Sequence, residues 1–436
     1  MTSDDLLDPL IRPGFKGFPQ DAPAVRRSAI AERHWNVLAG DLPLPIALLK
    51  RAEVDHNIGW LQGQARRWGI DLAPHGKTTM SPQLFARQLA AGAWGMTFAT
   101  VTQLAVGVAA GVRNALIANQ VLGDGDLAAI QSLRREHAAL RIVFLVDSTA
   151  QLALIEAWAE RRAGSPPFEV LLELGLPGGR TGCRTHAEAV ALAEQLHAST
   201  AVHLVGIECY EGLGAKGDAT DLPFAAALMD RVDAIARHCH TMGLFDSTEV
   251  LISAGGSAIF DLVATRLAPE LGRPVRGLLR SGCYVTHDHG NYKRYVNAVE
   301  ARLGCARGES LRPALEVWTH VQSCPEPGLA ILAVGRRDLS FDIELPMPIA
   351  RAPRGAMIAS AVPASWKITA LNDQHAHLRW GAADADADAA AAALAPQVGE
   401  RIGLGISHPC TTFDKWHWMP MVDADYRVVD AAIMVF

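Results

Sequence analysis

The chain of 436 residues is 50% hydrophobic with a net charge of −6, so it can bury a large core and is not disordered, and its scattered basic residues exclude nucleic acid as the main partner. No apolar run is long enough for a membrane-spanning helix, which sets a membrane aside. The opening residues, with Asp4, Asp5 and Asp8, lack the order of a signal peptide, and seven cysteines without a paired framework point to free thiols in a reducing, cytoplasmic setting.

Residues 1–40 begin with a stretch rich in Pro, Gly and Asp that reads as an arm, expected to join a later β domain. Residues 35–49 are apolar with prolines at 43 and 45, which suits an extended segment. Residues 51–68 carry apolar positions at 54, 58, 61 and 65, a helical spacing. A rhythm then sets in. Strand-like runs are expected near 70–74, 95–100, 114–118, 141–146, 168–174, 203–208, 249–253 and 275–280, with amphipathic stretches between most of them. Eight strands alternating with helices predict a (β/α)8 TIM barrel over residues 41–290. A doubly wound open sheet shares the local pattern, and the count of eight favours the barrel.

After about residue 291 the texture changes. Runs at 295–307, 315–323, 329–334, 357–360 and 366–372 read as short strands between Pro and Gly, predicting a C-terminal β-rich domain over 291–436. Within it, 381–395 is an alanine- and aspartate-rich low-complexity insert to which no function is assigned.

In a barrel enzyme the reacting groups sit at the C-terminal ends of the strands. Lys77 follows the first strand, with His75 beside it. A lysine placed there can hold an aldehyde cofactor as a Schiff base, since burial or neighbouring cations make its amine lose a proton more readily. The fifth strand is followed by Gly179-Arg180-Thr181-Gly182 and the sixth by Glu208, Tyr210, Glu211 and Gly212. After the seventh come Ser253, Gly255, Gly256 and Ser257, and after the eighth Gly282, Cys283 and Tyr284. Glycines let backbone N–H groups approach an anion and hydroxyls add donors, so the last two turns fit a phosphate cradle. A phosphate site facing a Schiff-base lysine suggests pyridoxal 5′-phosphate, with Arg180 donating to its phenolic oxygen and Tyr210 lining its ring or reaching the substrate.

Near the C-terminus, His408 and Cys410 are two residues apart, so on an extended segment both side chains share a face. Imidazole and thiolate together suit Zn²⁺, with Mn²⁺ or Co²⁺ as alternatives, and leave positions for water or substrate.

Taken together, Pro74-His75-Gly76-Lys77-Thr78, Gly179–Gly182, Tyr210-Glu211-Gly212, the 253–257 and 281–284 loops and His408-x-Cys410 resemble fold type III, the alanine-racemase-like pyridoxal-phosphate enzymes. The closer likeness is to the branch of D-serine dehydratase, D-threo-3-hydroxyaspartate dehydratase and D-threonine aldolase, from about Pro43 onward. The resemblance implies that Lys77 carries the cofactor and handles the α-proton, and that the two late loops hold the phosphate. It also implies that a metal in the C-terminal domain meets the substrate β-hydroxyl. In that branch the dehydratases use His-x-Cys and the aldolases His-x-Asp, so Cys410 leans toward a lyase that turns a D-serine, D-threonine or 3-hydroxy-D-aspartate type substrate into a 2-oxo acid and ammonia. The aldolase outcome, with His75 as base, and a non-catalytic pyridoxal-phosphate carrier are the alternatives; the His-x-Cys pair and the second domain argue against the carrier. A homodimer is expected by resemblance. Thr79-Met80, where relatives often have His-Lys, and Glu208, where many have glutamine, depart from the pattern. Glu208 and Tyr210 are both candidates to face the pyridine nitrogen.

Overall fold

The structure is a computed structural model that describes residues 3–162, 164–212, 214–256, 258–380 and 395–436. Ser257 and nearly all of the 381–395 insert lie outside the described residues.

Eight strands form one parallel sheet: β1 (Asp71–Leu72), β2 (Met96–Phe98), β3 (Asn114–Gln120), β4 (Arg141–Val146), β5 (Phe168–Leu174), β6 (Val202–Cys209), β7 (Val250–Ala254) and β8 (Val275–Leu279). Their spatial order runs β1-β8-β7-β6-β5-β4-β3-β2. The sheet closes between β1 and β2: Trp94 N donates to Leu72 O at 2.8 Å, Thr97 N to Pro74 O at 2.8 Å, and His75 bridges Thr97. The expected barrel is therefore present.

The two-residue period of a strand explains its filling. On β4, Val143 and Leu145 point into the lumen with Leu116, Leu171, Val205, Leu251 and Leu278. The alternate positions Ile142, Phe144 and Val146 join the larger core between sheet and helices. Burying both faces leaves no polar alternation, and parallel strands accordingly read as continuous apolar runs.

The second sheet is antiparallel for the most part and has ten strands. Its long strand, Leu315–Glu326, pairs with Arg401–Gly405 on one side and with Leu329–Leu332 further along. Ile46–Lys50 also pairs with Leu315–Glu326, and with Trp418–Val422. The extended segment assigned above to the barrel portion of the chain thus belongs to the other sheet, because its hydrogen-bonding partners lie some 270 and 370 residues downstream. The arm packs on this domain through Lys16–Asp338 (2.7 Å) and Arg27–Asp430 (2.6 Å).

Two expected strands are corrected. Of the run 357–360 only Ser360 is in a strand, Ser360–Ala361. Residues 295–307 lie largely in the helix Asn291–Leu303, which buries Val296, Val299 and Glu300 on one face and stops at Gly304 with φ 67°. Asp288 Oδ1 accepts from the N–H groups of Gly290 and Tyr292, both at 3.0 Å, and so caps its first turn. The helix continues the barrel's rhythm past residue 290. Among the described residues, no helix is long and apolar enough to cross a membrane.

Candidate active site and metal centre

A cavity of about 390 Å³ opens at the C-terminal ends of the barrel strands, where the second domain comes down on them. His75, Lys77, Thr78, Arg180, Glu208, Tyr210, Gly255, Arg280, Gly282, Cys283, Tyr292, His408 and Cys410 all border it.

Lys77 sits on a single 3₁₀ turn, Gly76–Thr78, after β1, and its side chain is exposed to the cavity. The turn is tightly enclosed. A Cβ on Gly76 would come within 2.8 Å of Phe98 and 3.0 Å of Phe85, and one on Gly282 within 2.7 Å of Thr78 Oγ1 and 2.8 Å of His75 Cβ. Glycine at 282 lets the β8 loop close on the lysine turn, and glycine at 76 lets that turn lie against Phe98 and Phe85. His75 is half-buried with an unpartnered Nδ1. Burial, with the charges of Lys77 and Arg280, holds its imidazole well below the usual range, so it is neutral.

The floor of the cavity is an ion pair. Arg280, immediately after β8, pairs with Glu208 on β6, donates to Ser253 Oγ at 2.5 Å and reaches Cys209 O at 3.3 Å. The two side chains are 3% and 1% exposed. Burial first, then the nearby carboxylates, push Glu208 up to about 7 against the pull of Arg280. Arg180 lies 4.9 Å over the Tyr210 ring.

Not every predicted contact reaches the cavity. Ser253 donates to Leu278 O and supports Arg280 from beneath. The Gly256 N–H is already given to the Glu211 carboxylate. Tyr284 is turned into the core, where its hydroxyl meets Gln88 at 3.0 Å. Neither loop is therefore wholly free to cradle a phosphate; Gly255, Gly282 and Cys283 are its members on the cavity.

The wall facing the second domain carries three side chains that could hold a metal ion. Cys283, His408 and Cys410 present ligand atoms within 4.8 Å of one another, and the two sulfurs are 3.6 Å apart. The same-face argument for His408 and Cys410 does not hold as made, since Cys410 opens a short helix, Cys410–Phe413, rather than continuing a strand. The pair converges because Ser340 Oγ donates to His408 O at 2.6 Å and Asp342 Oδ2 meets His408 Nδ1 at 2.7 Å. Burial opposes charge on His408, but Cys410 and Asp342 outweigh it and raise it to about 9. Hydrogen bonding with Cys283 and His408 holds the Cys410 thiol well below its usual range, and the same contact with burial drives Cys283 up.

The donor set fits a metal. A carboxylate on one imidazole nitrogen leaves the other for the ion, and two thiols with an imidazole suit zinc. The cavity fits a pyridoxal phosphate in kind: a lysine at one end, glycine-bordered loops beside it, and buried polar atoms without partners on His75 and Glu208.

Sequence reading passed over Arg280, Asp342, Thr78 and Tyr292. The place of Arg280, directly after the eighth strand's C-terminal end, was a usable signal. Asp342 stands 66 residues from His408 with no local mark.

Residues 314–422 match the family model described as a putative serine dehydratase domain. D-threonine aldolase of Arthrobacter sp. is 32% identical over 168 residues, covering 38% of this chain and 43% of that protein. D-threo-3-hydroxyaspartate dehydratase of Delftia sp. (strain HT23) is 28% identical over 257 residues, covering 57% and 62%. The chain thus spans less than two thirds of the length of either curated relative. Among solved structures, D-threonine aldolase of Filomicrobium marinum gives a TM-score of 0.71 at 23% identity, over 90% of this chain and 95% of that one. An alanine-racemase-like protein of Idiomarina loihiensis gives 0.68 at 18%, over 90% and 97%. The chain is thus similar to D-threonine aldolase and D-threo-3-hydroxyaspartate dehydratase, shares the alanine-racemase-like fold, and matches the putative serine dehydratase model over residues 314–422.

Proposed function

We propose that the chain is a pyridoxal-phosphate- and metal-dependent lyase that converts a D-configured β-hydroxy amino acid to a 2-oxo acid and ammonia. The observation that carries the reading is the placement of the Lys77 amine and the donors Cys283, His408 and Cys410 around one cavity of about 390 Å³.

Lys77 would hold the cofactor at its aldehyde, the Gly255 and Gly282–Cys283 loops would border its phosphate, and Arg180 would donate to its phenolic oxygen. Arg280, backed by Glu208, is the cation on the cavity floor that a ring nitrogen would face. Bound there, pyridoxal phosphate supplies an electron sink for the α-carbon and a zinc ion supplies Lewis acidity at the β-oxygen.

The chain's own groups then have defined tasks. Lys77 Nζ takes the α-proton. His75 stays neutral and is a poor acid, so help for a departing hydroxide has to come from the Cys283–His408–Cys410 wall. The same neutral imidazole supports a second reading, the aldolase, in which His75 accepts the hydroxyl proton and the Cα–Cβ bond breaks to give glycine and an aldehyde. Cys410 in the His-x-Cys pair favours the dehydratase.

A homodimer and a cytoplasmic setting complete the reading. The exposed apolar side chains of Phe341, Ile343 and Leu345 support the first, and the free state of all seven cysteines the second. Incubation with D-threonine, with and without a chelator, tests the chemistry. 2-Oxobutanoate and ammonia that vanish with chelation are expected. Glycine and acetaldehyde would make the protein an aldolase. Turnover that ignores the chelator would overturn the metal's part.

A further inference from the structure

The two-ligand motif His408-x-Cys410 leaves half of a tetrahedral centre to other atoms. Cys283 comes from elsewhere in the chain, on the single 3₁₀ turn Cys283–Val285 after β8, and is almost fully buried. Its sulfur meets Cys410 Sγ at 3.6 Å and Thr78 Oγ1 at 3.9 Å, and also engages the Tyr292 hydroxyl. Thr78 Oγ1 also lies 3.7 Å from Cys410 Sγ, so one hydroxyl, next to Lys77, stands against both sulfurs.

The spacing is informative. A disulfide would require about 2.0 Å between the sulfurs. Two zinc–sulfur bonds of about 2.3 Å at a tetrahedral angle put their sulfurs about 3.8 Å apart. The observed 3.6 Å is an ordinary contact between two thiols that is also close to the chord of a shared metal ion, so the sulfurs need hardly move to take one up. The imidazole is in range too, since all three ligand atoms fall within 4.8 Å of one another. Asp342 engages His408 Nδ1 and so leaves Nε2 for the ion.

We infer that Cys283 is a third protein ligand, and that the centre is Cys283–His408–Cys410 with one position left for water or a substrate oxygen. The inference rests on the metal-assisted reading above for the presence of an ion, and adds the ligand. Two thiolates bias the site toward zinc and cobalt and away from manganese and magnesium, which prefer oxygen donors. They also offset the charge of a divalent ion. The centre then presents a single exchangeable position that directs one oxygen of the substrate, rather than chelating two.

The test is zinc K-edge X-ray absorption on the holoenzyme, which is blind to turnover. The wild type is expected to show two sulfurs at about 2.3 Å, Cys283→Ser one, and Cys239→Ser, a change at a buried thiol on the helix Asp221–Thr241, still two. Competition with a chelator should show zinc held at least tenfold more weakly in Cys283→Ser, since losing a ligand costs no less than losing its supporting partner, about 10–100-fold. One sulfur in the wild type would overturn the inference, as would a Cys283–Cys410 disulfide found by mass spectrometry in zinc-loaded protein. These results separate from those of the proposed function. A two-sulfur zinc in a protein whose turnover ignores chelation would sink the lyase reading and leave Cys283 a ligand.

Discussion

The floor and the wall of the cavity are both polar, and they are built on opposite principles. On the floor, Arg280 bonds one Glu208 oxygen, Ser253 Oγ and the Cys209 carbonyl directly, with both charged side chains almost fully buried and only the second Glu208 oxygen left without a partner. On the wall, Cys283, Cys410 and Thr78 are joined by long sulfur contacts of 3.6–3.9 Å, and the short contact of His408 is made by Nδ1 with Asp342 at 2.7 Å. Groups that complete each other hold a shape. Groups joined only by such long contacts are arranged for something that arrives later, and the Ser340 and Asp342 contacts behind them orient His408.

That contrast can be broken most sharply at the lysine between the two. Lys77→Ala is expected to abolish both turnover and the visible absorbance of bound pyridoxal phosphate, read by spectrophotometry of the purified protein. A variant with a normal band would remove Lys77 from the cofactor's aldehyde. On the wall, Cys410→Ser should lower metal retention and turnover together, and Asp342→Ala should weaken metal affinity by about 10–100-fold without changing the melting temperature of the metal-free protein. If Asp342→Ala instead melts early and binds metal normally, its contact with His408 is structural.

The floor should answer in stability rather than in metal affinity. Arg280→Ala leaves Glu208 buried without its partner, which costs roughly 3–5 kcal/mol in comparable pairs. Denaturant titration should show that loss while zinc binding stays within a factor of a few. A large fall in zinc affinity with unchanged stability would mean that floor and wall are one unit.

The barrel was legible because its evidence is local. Each strand is a short apolar run and each catalytic-loop candidate follows one, so Lys77, Arg180, Tyr210 and Gly282 could be placed by counting. What the sequence hid was set by distance along the chain. Ile46–Lys50 looks like any strand and is assigned to the second sheet only by its partner Leu315–Glu326. Cys283 read as part of a phosphate loop, and its grouping with Cys410 arises from a contact spanning 127 residues. The helix Asn291–Leu303 carries good strand formers in Tyr295, Val296 and Val299, yet they lie on one helical face and burial decides the matter.

The smallest expected effect concerns the segment that joins floor to wall. His287, just past the Cys283 turn, adopts φ 47°, a left-handed conformation that favours Gly or Asn. It is 2% exposed. Its Nδ1 lies 3.0 Å from the Asp288 carbonyl oxygen, and its Nε2 is buried with no partner. Burial, reinforced by Lys293, pushes its imidazole down to about 4 from an ordinary 6.5. A base whose folded-state value is depressed stabilises the fold fully above its unfolded value, and that stability is lost as pH falls from about 6.5 through 4, at a rate approaching 1.4 kcal/mol per pH unit. Asp288 works the other way, since burial raises it to about 7 and its protonation favours the folded state as pH falls. The wild-type curve therefore mixes both, and the difference between wild type and His287→Asn isolates the histidine. Because Asn tolerates the left-handed backbone, that variant should match or exceed wild-type stability at pH 4.5 relative to pH 7.5, measured by denaturant midpoints at the two values. Parallel pH curves for the two proteins would mean that His287 is charged in the fold, and that the segment between floor and wall is wetter than its burial indicates.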